Sequence, residues 1–66
     1  MQIHLNGNPY DAPPEASVAA LLNHLGLAEK HVAVEVNAAL VPKRRHAEHH
    51  LAEGDVVEVV TLVGGG

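Results

Sequence analysis

The sequence predicts an α+β domain in which a mixed sheet packs on one main helix. Three observations predict it. Period-two alternation marks the chain near both ends, one central stretch has helical spacing, and the length is only 66 residues. A domain of this size buries only about 60% of its unfolded surface, so one helix on one sheet is the most its core supports. The apolar share of 47% is normal for a globular chain, and Tyr10 is the single aromatic, so the core must be aliphatic.

The elements follow in order. Met1, Ile3 and Leu5 alternate with Gln2 and His4, the pattern of a half-buried strand. Asn6-Gly7 is a strong hairpin signal, and Asn8-Pro9-Tyr10-Asp11 reads as the return strand. Pro9 and Pro13-Pro14 keep that strand short and at an edge. Ser17 is placed to cap a helix. Val18, Leu21, Leu22 and Leu25 then fall at i, i+3, i+4 and i+7 on one face, and Gly26 closes the helix after Leu25.

Val32, Val34 and Val36 alternate with Ala33 and Glu35 as a third strand, and Asn37-Ala38-Ala39 turns the chain. Leu40-Val41 is a brief fourth strand ended by Pro42. Lys43 to His50 is polar and reads as a loop with a short helical turn, anchored by Leu51. Glu53-Gly54-Asp55 turns into a last strand from Val56 to about Val63. The domain is thus expected over residues 1–63, with 64–66 a flexible tail. With the helix as a crossover, the last strand can lie parallel to the first. This order is that of the ubiquitin-like β-grasp.

Composition excludes several functions. The absence of cysteine removes disulfides, thiolate metal sites and a cysteine nucleophile. A net charge of −4 gives no footprint for nucleic acid. The first residues lack the basic start and apolar run of a signal peptide, and no stretch is long and apolar enough for a membrane span. A cytoplasmic location and a free monomer are expected.

The chemistry is expected at Gly64-Gly65-Gly66. Glycines lack Cβ, so such a tail can thread a narrow enzyme slot and deliver the Gly66 carboxylate to a nucleotide. A carboxylate does not react with sulfur nucleophiles until its oxygen becomes a leaving group. Adenylation by ATP achieves that, and sulfur then displaces AMP to leave a thiocarboxylate. A frayed terminus is the bland alternative for the tail taken alone.

Parity along the last strand suggests a docking face. Glu58 must avoid the core, which assigns Val57, Val59 and Thr61 to the helix side. Val60 and Leu62 then share the open face with Glu58, leading to the tail.

Together these residues resemble the ThiS family of sulfur carriers in thiamine thiazole biosynthesis. The resemblance runs through Met1-Gln2-Ile3, Leu5-Asn6-Gly7, Ser17-Val18, Leu21-Leu22, Val32-Ala33-Val34-Glu35, Asn37 and Val41-Pro42-Lys43. It continues through Leu51, Glu53-Gly54-Asp55 and Val57-Glu58-Val59-Val60 to the glycines. Members commonly carry tryptophan near position 46, where this chain has His46.

The resemblance implies a β-grasp fold and a protein co-substrate with no catalytic side chain and no bound cofactor. ATP would be used by a ubiquitin-activating-type, ThiF-like adenylyltransferase. Sulfur would come from a cysteine desulfurase or another route, and a ThiG-like thiazole synthase would receive it. A molybdopterin-synthesis carrier and a ubiquitin-like protein modifier share the terminal Gly-Gly and are the alternatives, with a pure binding module a further one.

Two clusters invite sharper readings. His46, His49 and His50 have i, i+3, i+4 spacing, but zinc needs further fixed ligands, and Glu48 and Glu53 are unspecific; a solvated loop is the better reading. Lys43-Arg44-Arg45 holds three of the four basic residues and reads as a solvated loop ahead of a docking contact. Glu35, Glu48, Glu53, Asp55 and Glu58 have no nucleophile to pair with and read as solubilising groups.

Overall fold

The computed structural model describes residues 1–62. Its elements are β1 (Gln2–Leu5), β2 (Asn8–Asp11), α1 (Val18–His24), β3 (Val32–Val36), β4 (Ala39–Val41), a 3₁₀ turn (Lys43–Arg45) and β5 (Val56–Thr61). The strands form one mixed sheet in the order β2-β1-β5-β3-β4. β5 lies parallel to β1 and antiparallel to β3, so the last strand occupies the centre of the sheet. This is the expected β-grasp arrangement.

Local chemistry explains the turns. Asn6 and Gly7 both have positive φ, at 49° and 84°, as a two-residue hairpin requires. The Ser17 hydroxyl accepts a hydrogen bond from the Ala20 amide at 3.0 Å, capping α1. Gly26, at φ 76°, follows the C-cap residue Leu25.

The helix face and the inner sheet face meet in an aliphatic core. Ile3, Val18, Leu21, Val34 and Val57 are fully buried, and Ala12, Leu22, Val36, Val41, Leu51 and Val59 complete the cluster. Leu25 is only half-buried, because it lies at the end of the helix. Tyr10 is also half-buried, and its hydroxyl meets His24 Nδ1 at 2.7 Å, tying β2 to the end of α1.

The segment after β4 departs from the expected solvated loop. His46 is only 7% exposed. Its Nε2 lies 3.0 Å from the Val41 carbonyl, which can only accept, so Nε2 carries the proton. Its own carbonyl accepts from the Ala19 amide, and the His49 carbonyl accepts from the Val18 amide. The first turn of α1 thereby finds partners for amides that a helix leaves unsatisfied. His46 is therefore a second anchor beside Leu51.

Candidate functional site

The site is the outer face of the sheet around β5, the strand that leads to the glycine tail. Side chains on β5 alternate as expected at its centre: Val57 and Val59 are buried, whereas Val56, Glu58 and Val60 are exposed. Thr61 is a correction to the expected pattern. It shares parity with Val57 and Val59 but is exposed, because it ends the strand opposite Val32, which is itself only half-buried. Leu62 is exposed and extends the pairing of β5 with the β3 side of the sheet, its amide donating to the His31 carbonyl at 2.8 Å.

Two asparagines hold β5 in place. Asn6 Oδ1 accepts from the Val59 amide at 2.8 Å, and Asn6 Nδ2 donates to the Val59 carbonyl at 3.2 Å. β1 ends at Leu5, and the Asn6 side chain continues its pairing with β5 where the backbone turns away. At the start of β5, Asn37 Oδ1 accepts from the Val56 amide at 2.9 Å, and Asn37 Nδ2 donates to Asp55 Oδ1 at 3.0 Å. Asp55 Oδ2 in turn accepts from the Ala52 amide at 2.8 Å. Asn6 was legible in the sequence only as a turn residue. Its partner is 53 positions away, and no local pattern records that distance.

Asn6→Ala removes both hydrogen bonds to Val59 and leaves an alanine at positive φ. The expected cost is about 1–3 kcal/mol, read by urea denaturation. An unchanged midpoint would show that Asn6 does not hold the strand.

Among the described residues, the four large exposed hydrophobics all lie on the outer face or its continuation: Leu40 (65% exposed), Val56 (47%), Val60 (57%) and Leu62 (52%). Register places Leu40 opposite Glu35 and Glu35 opposite Glu58, so these three form one row across β4, β3 and β5. Ala33 and Val60 form the next row. The expected grouping of Glu58, Val60 and Leu62 is thus present, and the fold adds Leu40, Val56 and Glu35 to it.

The other candidate clusters take different places. Lys43, Arg44 and Arg45 are exposed on the 3₁₀ turn, and Arg44 and Arg45 line an open groove of about 310 Å³ with Leu40 and His49. His46 faces inward, His49 is half-buried and His50 is exposed, and no helix runs through them. Among the described residues, no three His, Asp or Glu side chains converge as a metal site. No helix there is long and apolar enough to cross a membrane. Gly64, Gly65 and Gly66 lie outside the described residues, as does Val63, the expected strand end.

Fold and terminal sequence define a glycine-tailed, ubiquitin-like β-grasp protein. The profile of the ThiS family matches residues 3–66, and the chain belongs to that family.

A crystal structure of the thiamine biosynthesis protein ThiS from Geobacter metallireducens superposes with a TM-score of 0.84 at 29% identity, covering all of both chains. Among curated proteins, an uncharacterised ycf40 protein of Porphyra purpurea is 35% identical over 66 residues, all of this chain and 93% of that one. A thiazole synthase of Magnetococcus marinus is 44% identical over the same 66 residues, which make up only 20% of its length. A thiazole synthase of Paramagnetospirillum magneticum is 38% identical, again over 20% of its length.

Proposed function

We propose that this protein carries sulfur for thiazole formation in thiamine biosynthesis, holding it as a thiocarboxylate on Gly66. The observation that carries the reading is the family match, which runs through the glycine tail to residue 66. In this reaction a Gly66 carboxylate oxygen attacks the α-phosphorus of ATP on a ThiF-like adenylyltransferase, and pyrophosphate leaves. A sulfur nucleophile then attacks the acyl carbon and AMP leaves; sulfide gives the thiocarboxylate directly, whereas a persulfide supplied through a cysteine desulfurase gives an acyl disulfide, whose S–S bond a thiol then reduces to release the thiocarboxylate. The thiocarboxylate passes its sulfur to a ThiG-like thiazole synthase. The chain acts as a co-substrate; ATP belongs to the activating partner.

Gly64 and Gly65 suit this task because they bring no side chain into a confined slot. Beyond Leu62 the four last residues reach at most roughly 14 Å, so the face that docks must sit close to the partner's active site. Val60, Leu62 and Glu58 are that docking face in this reading. The support is their shared exposure at the end of β5.

Mass spectrometry of the protein from its host tests the chemistry. Exchange of one oxygen for sulfur adds about 16 Da, the product of nucleophilic displacement on an activated acyl group. A ladder of larger conjugates would instead make the protein a modifier, and the unmodified mass alone would leave it a binding module. Leu62→Asp tests the face. An exposed site tolerates the charge, so unfolding should be unchanged while affinity for thiazole synthase falls about tenfold or more. Unchanged binding would place the docking surface elsewhere.

A further inference from the structure

The outer sheet face has an unusual centre. Glu35 and Glu58 are directly opposed across β3 and β5, and both are exposed. Opposed positions bring Cβ atoms to about 4.5–5.5 Å, where like charges repel. Among the described residues, no salt bridge is made by either carboxylate. The ion pair among the described residues joins the Met1 amine to Asp11, on another part of the molecule. Among the described residues, the four large exposed hydrophobics lie around the two carboxylates: Leu40 in the same row, Val56 and Val60 along β5, and Leu62 just past its end.

An apolar face with an uncompensated double negative charge is poorly suited to a second copy of itself. Two such faces brought together would confront four carboxylates as apolar contact removed water from them. A partner that presents a cation within an apolar patch meets both features at once: it covers the aliphatic groups and neutralises the repulsion. Among relatives, this domain forms a fifth of two bacterial thiazole synthases, so domain and synthase occur in one polypeptide.

We infer that Glu35 and Glu58 together receive a lysine or arginine of thiazole synthase, with Leu40, Val56, Val60 and Leu62 packed around that contact. The inference rests on the docking reading above and adds the partner's chemistry and two residues, Glu35 and Leu40, to it. The pair gives selectivity rather than stability, since the free protein carries its repulsion without return.

The test compares Glu35→Gln/Glu58→Gln with Leu62→Asp, using purified thiazole synthase of the same host. Binding is measured by calorimetry at low and high sodium chloride, and unfolding is followed separately. The double glutamine variant should melt at the same or a higher temperature, bind about tenfold or more weakly at low salt, and lose most of the wild-type salt dependence. Unchanged affinity in that variant, with binding lost in Leu62→Asp, overturns the inference and leaves the docking reading intact. Unchanged affinity in both variants overturns the docking reading as well. A lowered melting temperature in the glutamine variant would show that the carboxylates serve the fold and also overturns the inference.

Discussion

Deletion of Gly66 is expected to abolish charging by the adenylating enzyme and to leave the fold unchanged. The described helix, strands and core lie within residues 1–62, and termini are usually loosely held, so the deletion should leave these elements in place. It does shift the terminal carboxylate back by one residue, about 3.3–3.6 Å along an extended chain. Misplacement of a reacting group by about 1 Å already costs on the order of 10²-fold in rate, so a displacement of this size removes the carboxylate from attack distance. Gly65→Val keeps the reach but adds a β-branched side chain beside the reacting group, and should also lose most activity. ATP–pyrophosphate exchange reads the loss, and thermal unfolding reads the fold. Normal adenylation of both variants would remove the tail from the mechanism.

Leu21→Ala is the most damaging core change expected. Leu21 is fully buried at the centre of the helix face, among Ile3, Val34 and Val57. Truncation removes buried methyl groups and leaves a cavity, at a cost of about 2–5 kcal/mol. Stabilities run at roughly 0.05–0.15 kcal/mol per residue, so a chain this short loses a large part of its total. Each kcal/mol lowers the melting temperature of a small domain by about 4–8 °C. The same truncation at Leu25 should cost clearly less, because Leu25 is half-buried at the helix end. Equal melting temperatures for wild type and Leu21→Ala would mean that the helix faces the sheet through other residues.

The contrast between Leu21 and Leu25 shows where the sequence was legible. Spacing placed both leucines on one face, since helical period is a local property. How far each penetrates depends on where the helix ends over the sheet. Thr61 makes the same point on a strand. Its parity with Val57 and Val59 is local, but its exposure follows from its place at the sheet's end. His46 went further from expectation: in a run of polar residues it read as solvated, yet a carbonyl from β4 and the first turn of α1 make a buried place for its ring.

By itself the sequence determined the element order, the hairpin at Asn6-Gly7, the helix cap at Ser17, the aliphatic core and the glycine tail. Each follows from a residue's own backbone preference or from periodicity within a few positions. The tertiary structure decided what lies side by side. It put β5 at the centre of the sheet, brought Asn6 to Val59, and set Glu35 against Glu58 beside Leu40. These pairings join residues far apart in the chain, and only strand order and register bring them together.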